Sequence, residues 1–216
     1  MHRPGSTHIG ATLATLGAMT PRSVRRAVAP VIVMPLVLGL VLAACAGTSS
    51  ASFDPTGSCK GDGSAPGAYP ALEALIPTTY HDAAPERLDS GRNCTAENLG
   101  SLAASGIKEV DFAGGTWTFG EPAVVLAVFT APGLTADLLA DFYANSAGAN
   151  GRTQIVGQSS PTIAGRQGRR LDTKTGDRQQ TVITWPSATD DRVNVVITHD
   201  MPEARISEGI DAFGAN

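Results

Sequence analysis

"VDFAGGTWTFGEPAVVLAVFT", Val110 to Thr130, decides how the rest of the chain is read. Its second half, Ala123–Thr130, is a nearly continuous apolar run of strand length, the pattern of a buried central strand. Its first half turns on the Gly114-Gly115 pair. A two-residue turn there sets Phe112 opposite Trp117 and Val110 opposite Phe119, so the four side chains share one face of a β-hairpin.

Working outward, Leu72, Leu75 and Ile76 predict a short helical turn that Pro77 stops. Thr95 is the N-cap expected for a helix that carries Leu99, Leu102 and Ala103 inward and is closed by Gly106. After the apolar strand, a helix starting at Thr135 is expected to bury Leu134, Leu138, Leu139 and Phe142, with Asp137 and Asp141 in water. Two to four strands follow between Thr153 and Thr198. The clearest are "QTVITW" (Gln180–Trp185) and "RVNVVITH" (Arg192–His199), joined around Asp190-Asp191. A last amphipathic helix sets Ile206, Ile210 and Phe213 on one stripe. This order predicts an α+β fold, an antiparallel sheet with about three helices packed on one face.

The chain has 216 residues, 42% of them hydrophobic and 17% charged, enough apolar matter for a core and too little charge for wholesale disorder. The charge is unevenly placed. Residues 1–44 hold four arginines (Arg3, Arg22, Arg25 and Arg26) and no carboxylate. From Cys45 onward, 20 acidic residues face 12 basic ones, a net charge of −8. Nucleic acid is therefore excluded as a partner class, because binding it needs a basic surface that displaces counterions. The same balance gives no polybasic attraction to anionic lipid heads.

Arg22, Arg25 and Arg26 precede "AVAPVIVMPLVLGLVLAA", Ala27 to Ala44, which carries no charge. Pro30, Pro35 and Gly39 make it a poor spanning helix and a good secretory apolar region. "LAAC", Leu42 to Cys45, then resembles the lipobox of bacterial lipoprotein signal peptides: an aliphatic residue, two small residues and a cysteine. That resemblance implies a diacylglyceryl thioether on Cys45 and removal of residues 1–44 as a signal peptide. Two acyl chains on one cysteine meet the two-signal requirement for stable anchoring. Met19 opens a compact signal, "MTPRSVRR", and is the expected start of translation. In element order, the remainder resembles small actinobacterial-type envelope lipoproteins, a likeness that implies no activity.

Acylating Cys45 leaves Cys59 and Cys94 out of three cysteines. Export places both in an oxidising compartment, so a disulfide between them is expected. A metal pair or a redox pair has no supporting CxxC or histidine spacing. The Ala-, Gly-, Ser-, Thr- and Pro-rich residues 45–68 read as the lipidated cysteine and a flexible tether, and residues 69–216 as the extracytoplasmic domain.

Candidate chemistry is sparse. His81-Asp82 and His199-Asp200 are the histidine–carboxylate pairs that a hydrolase would use, but adjacent residues point apart and make poor dyads. No GxSxG elbow, HExxH helix or EF-hand loop accompanies them, so no metal site and no cofactor are expected. Arg166, Arg169, Arg170, Lys174 and Arg178 form the single basic cluster of an acidic domain. The first, second and third of these are candidate anion ligands, against which Asp172 and Asp177 neutralise part of the charge. Trp117, Phe119 and Trp185 are core aromatics by spacing, with Trp185 the better candidate for exposure because Pro186 follows it.

The expectation is thus a membrane-anchored extracytoplasmic lipoprotein, noncatalytic, that binds or senses an envelope protein or a small ligand. Its partner of first rank is the lipid bilayer, held through acylated Cys45. The competing readings are an envelope hydrolase using His81 or His199, and an accessory docking subunit of a membrane complex.

Overall fold

A computed structural model describes residues 53–188 and 191–214. Cys45, the lipobox and the apolar segment before it lie outside these residues. The described chain builds one eight-stranded sheet, antiparallel at every pairing, in the order β1-β2-β3-β4-β10-β9-β8-β5. The first half supplies β1 (Gly63–Ala65), β2 (Arg87–Asn93), β3 (Val110–Thr118) and β4 (Ala123–Thr130). The second supplies β5 (Thr153–Ser159), β8 (Arg169–Thr175), β9 (Arg178–Pro186) and β10 (Arg192–His199). Strands β6 (Thr162–Ile163) and β7 (Arg166–Gln167) form a separate small hairpin. The halves join where β10 pairs with β4, in the middle of the sheet.

The helices are α1 (Pro70–Glu73), α2 (Ala96–Leu99), α3 (Ser101–Ala104), α4 (Ala136–Ala149) and α5 (Glu203–Ala212). They cover both faces of the sheet, which corrects the one-face expectation. Along β4, Val125, Ala127 and Phe129 point into a core with Leu99, Leu102, Leu139, Phe142 and Tyr143 from α2, α3 and α4. The alternate residues Val124, Leu126 and Val128 point into a second core with Leu72 of α1, Ile206 of α5 and Phe213. A strand with two buried faces has no polar face to alternate with, and that is why this one reads as an unbroken apolar run.

The expected hairpin at Gly114-Gly115 does not exist. β3 runs straight through the pair, with Gly114 opposite Asp89 on one side and Ala127 on the other. Phe112 and Trp117 consequently fall on opposite faces, one in each core. The second glycine is there for space. A Cβ on Gly115 would sit 2.8 Å from Trp117 Cη2 and 3.1 Å from Ile76 Cγ2, because the indole folds back over its own strand. Trp117 is 1% exposed and donates its Nε1 proton to the Ala83 carbonyl at 2.9 Å.

Two local expectations also change. Ala103 is exposed, since the helix predicted over this region breaks at Gly100 into α2 and α3. Trp185 is buried against Phe213 at 5.4 Å between ring centroids, not exposed. Other elements match. Thr95 caps α2 by accepting from Asn98 N, and Thr135 caps α4 by accepting from Leu138 N at 3.2 Å. β9 and β10 pair as read, and Ile206 and Phe213 anchor α5.

The ordered fold begins earlier than Tyr69. Arg92 is buried in β2 and reaches across to the segment before β1. Its Nη1 donates to the Gly57 carbonyl at 2.7 Å and its Nη2 to the Asp54 carbonyl at 2.9 Å. The guanidinium also lies over the Phe53 ring, 5.6 Å from its centroid. Residues 53–68 are therefore part of the domain and not a flexible tether.

Candidate functional site

The expected disulfide forms: Cys59 and Cys94 are bonded, with Cα atoms 6.2 Å apart. Asp62 finishes the junction. It accepts from the backbone of Cys94 and Thr95, from the Thr95 hydroxyl, and from Asn98 Nδ2 at 2.6 Å. Burial works against its charge, but these bonds outweigh burial and hold its carboxyl below the usual range. The result is a fastened entry to the domain, with the chain from β1 bolted to the start of α2.

The basic cluster read in the sequence is dispersed by the strand geometry. Arg169 and Arg170 are consecutive in β8 and so point to opposite faces. Arg169 Nη1 meets Asp137 of α4 at 2.9 Å. Arg170 lies between Glu203 of α5, at 2.6 Å, and Asp172, at 2.9 Å. The bond to Glu203 first, and that to Asp172 second, raise its pKa further, so the charge is permanent and already matched. Arg166 belongs to the β6–β7 hairpin, where its Nη1 is buried without a hydrogen-bond partner. Arg178 pairs with Asp200 at 3.1 Å. The three candidate anion ligands thus occupy three separate settings.

Arg170 alone of the three lines a cleft, about 370 Å³ in volume, between the β6–β7 hairpin and α5. Ile163, Ile183 and Ile210 make its apolar surface, and Thr162, Ser207, Glu203 and Asp211 its polar rim. The hairpin is held by Gly168 N donating to the Pro161 carbonyl at 2.8 Å, and it turns at Ala164, which takes a positive φ of 47°.

His81 sits in a second cluster, at a turn where His81 and Asp82 both have positive φ, 50° and 59°. Its carboxylate partner is not Asp82 but Glu208 of α5, 3.2 Å from Nδ1. Its Nε2 faces Arg205 Nη2 at 2.6 Å, and Arg205 in turn bonds Glu208 at 3.0 Å. An arginine is a donor only, so Nε2 accepts and the ring proton lies on Nδ1, toward Glu208. Arg205 also lies over Phe119, 5.8 Å from its centroid, and Tyr80 donates its hydroxyl proton to the Arg205 carbonyl at 2.9 Å. With both ring nitrogens engaged, His81 ties a strained turn to α5 and presents no free lone pair to a substrate. Arg205 and Glu208 lie more than 120 residues from His81, and no local pattern in the sequence announces them.

His199 ends β10, with its Nε2 3.4 Å from Gln180 Nε2. Burial first, and the Arg178 charge second, push its pKa down against the opposing pull of Asp200. Asp200 itself is turned to Arg178 and to Gln179 N, the latter at 2.7 Å. Neither adjacent His–Asp pair is a dyad. Among the described residues, no three His, Cys, Asp or Glu side chains converge as metal ligands do.

One further carboxylate is half-buried. Asp111 faces Arg92 across β2 and β3, and its Oδ1 is buried without a partner. Burial, then the Glu109 charge, raises its pKa, while Tyr69 and Arg92 pull it the other way. It lies beside the fastened entry of the domain, cross-strand from Arg92.

No protein-family model matches the chain. A search of curated proteins gives no match either. Among the described residues, no helix is long and apolar enough to cross a membrane.

Proposed function

We propose that this chain is an extracytoplasmic lipoprotein, anchored through a diacylglyceryl group on Cys45, whose domain is a noncatalytic binding or sensing module of the bacterial cell envelope. The lipobox-like "LAAC" carries the reading, since it accounts at once for the charged start, the apolar run and the odd cysteine. The Cys59–Cys94 bond supports it, because disulfides persist in oxidising compartments and are rare in the cytosol. The Arg92 clamp adds a distance. Eight residue steps separate Cys45 from Phe53, so the domain would lie within about 29 Å of the anchored sulfur even with the tether fully extended.

The binding assignment rests on the cleft between the β6–β7 hairpin and α5. The engagement of both His81 nitrogens favours binding over hydrolysis. Mass spectrometry of the chain expressed in a lipoprotein-processing bacterium tests the anchor. A diacylated Cys45 as the first residue is expected, and an unmodified Cys45 still joined to Ala44 overturns it. A photo-crosslinking residue in place of Ser207 tests the module. An adduct absent from a control at Lys108 is expected, and no adduct at either position refutes the cleft as the binding surface.

A further inference from the structure

The turn between Tyr80 and Ala83 is strained, and its surroundings hold it in that shape. Its two central residues, His81 and Asp82, both have positive φ and neither is a glycine. The base of the turn is fixed by backbone bonds between Tyr80 and Ala83 in both directions, at 2.9 and 3.1 Å. The Trp117 indole on the Ala83 carbonyl and the Tyr80 hydroxyl on the Arg205 carbonyl secure it further. Among the described residues, the tip is hydrogen-bonded down only by the His81 side chain, to Glu208 and to Arg205.

Those two ties respond to a proton in opposite ways. A guanidinium has donors only, so the 2.6 Å contact of Arg205 Nη2 with His81 Nε2 needs a bare lone pair on the ring. Once Nε2 carries a proton, two N–H groups and two positive charges face each other at that distance, and the contact must open. Glu208 tolerates both states. One of its oxygens takes the Nδ1 proton at 3.2 Å whether or not the ring is charged, and the other takes Arg205 Nη1 at 3.0 Å. The charged and titratable groups around the ring are Glu208 and Arg205 from α5, and Tyr80 and Asp82 of the turn itself. The segment between β3 and β4 adds the uncharged Phe119 ring, 6.0 Å from the imidazole between centroids. Burial, and after it the Glu208 charge, raises the pKa of Tyr80, so its hydroxyl keeps its proton. Imidazole is the ordinary side chain that changes charge between about pH 5 and 8. The His81 side chain is 44% exposed, and a proton reaches it without unfolding.

We infer that His81 is a proton-operated latch between the strained turn and α5. With the ring neutral, Glu208, His81 and Arg205 close a ring of three contacts. With the ring protonated, Arg205 leaves Nε2 and stays on Glu208, and the tip of the turn is held to α5 through Glu208 alone. The inference does not depend on the lipid anchor or on the cleft.

The test follows side-chain nitrogens by NMR in the full chain, labelled with nitrogen-15 in detergent, from about pH 8 to pH 5. Arg205→Lys identifies the Arg205 signals and His81→Gln the His81 signals. With the ring neutral, His81 should carry its proton on Nδ1 and none on Nε2, and an Arg205 guanidinium signal should be displaced by its bond to the ring. As His81 takes up its proton, that signal should move in step to the position of a solvent-exposed arginine. His81→Gln keeps an acceptor for Arg205 but cannot titrate, so its Arg205 signal should stay in place over the whole range. His199→Gln should leave the wild-type response intact, with far-UV circular dichroism unchanged in both variants. A neutral ring with its proton on Nε2 overturns the inference, as does an Arg205 signal that stays put while His81 is protonated. A displacement that survives in His81→Gln, or one that His199→Gln removes, assigns the response to another group and overturns it as well.

Discussion

Gly114 and Gly115 are adjacent and chemically identical, yet alanine at the two positions should act in opposite directions. At Gly115 the new Cβ would lie 2.8 and 2.9 Å from Trp117 Cη2 and Cζ3 and 3.1 Å from Ile76 Cγ2. Comfortable carbon–carbon contact begins at about 3.5 Å, so the indole must move by roughly 0.7 Å. It has little freedom to do so, being 1% exposed and hydrogen-bonded to the Ala83 carbonyl. Overpacking of this kind costs about 1–3 kcal/mol, and a broken indole bond would add ~1 kcal/mol. The gain from replacing glycine within a strand offsets ~0.5–1 kcal/mol of that. The net expectation is a loss of about 1–3 kcal/mol, or a Tm lower by roughly 3–10 °C in a domain of this size. At Gly114 the nearest atom is Ala127 Cβ at 3.4 Å, an ordinary contact, so Gly114→Ala should be neutral or stabilise by up to ~0.5 kcal/mol. Urea unfolding followed by tryptophan fluorescence reads both variants against wild type. Equal losses at the two positions, as a glycine turn would give, or an unaffected Gly115→Ala, would refute the reading of β3 as one strand packed under its own tryptophan.

Cys59→Ser with Cys94→Ser opens a loop closed across 35 positions and should cost ~3–4 kcal/mol, measured as a lower urea midpoint that reductant no longer changes. Arg92→Ala strips the Asp54 and Gly57 carbonyls of their donors and should cost about 1–3 kcal/mol, with new protease cleavage between 53 and 60 while β3 and β4 stay resistant. An unchanged digest would show that the segment is held without the clamp. His199 is disfavoured as a cation by burial and by Arg178, so below the unfolded pKa of about 6.5 the unfolded chain binds the extra proton and the native state loses stability as pH falls. His199→Gln should therefore flatten the rise in the urea midpoint between about pH 5 and 7, and a variant with the wild-type profile would place that slope elsewhere.

Much of the architecture was legible in residue order, because the signals are local. The apolar run of β4, the caps at Thr95 and Thr135, and the stripe of Ile206 and Phe213 each sit within a few residues of the element they define. The one-face layering was misread although its evidence was present. A strand apolar at every position is buried on both faces, and both faces then need cover. The glycine pair misled for a different reason. Gly-Gly serves tight turns and close packing equally well, and what decides between them is Trp117 on the same face together with Ile76, which lies 39 positions upstream.

The candidate sites were the least legible part. A run of arginines in sequence looks like a patch, but alternation along β8 sends Arg169 to α4 and Arg170 to α5, each onto its own carboxylate. His81 appeared to have a partner in Asp82, and its actual partners arrive from α5 at the other end of the chain. The sequence alone carried the lipobox-like segment, the arithmetic of three cysteines and the acidic balance, all of them properties of composition and order that need no fold. Tertiary structure alone decided which charges are already matched, which histidine nitrogens are engaged, that residues 53–68 belong to the domain, and which strand is left at the edge. Those depend on contacts between residues far apart in the chain, and local spacing holds no record of them.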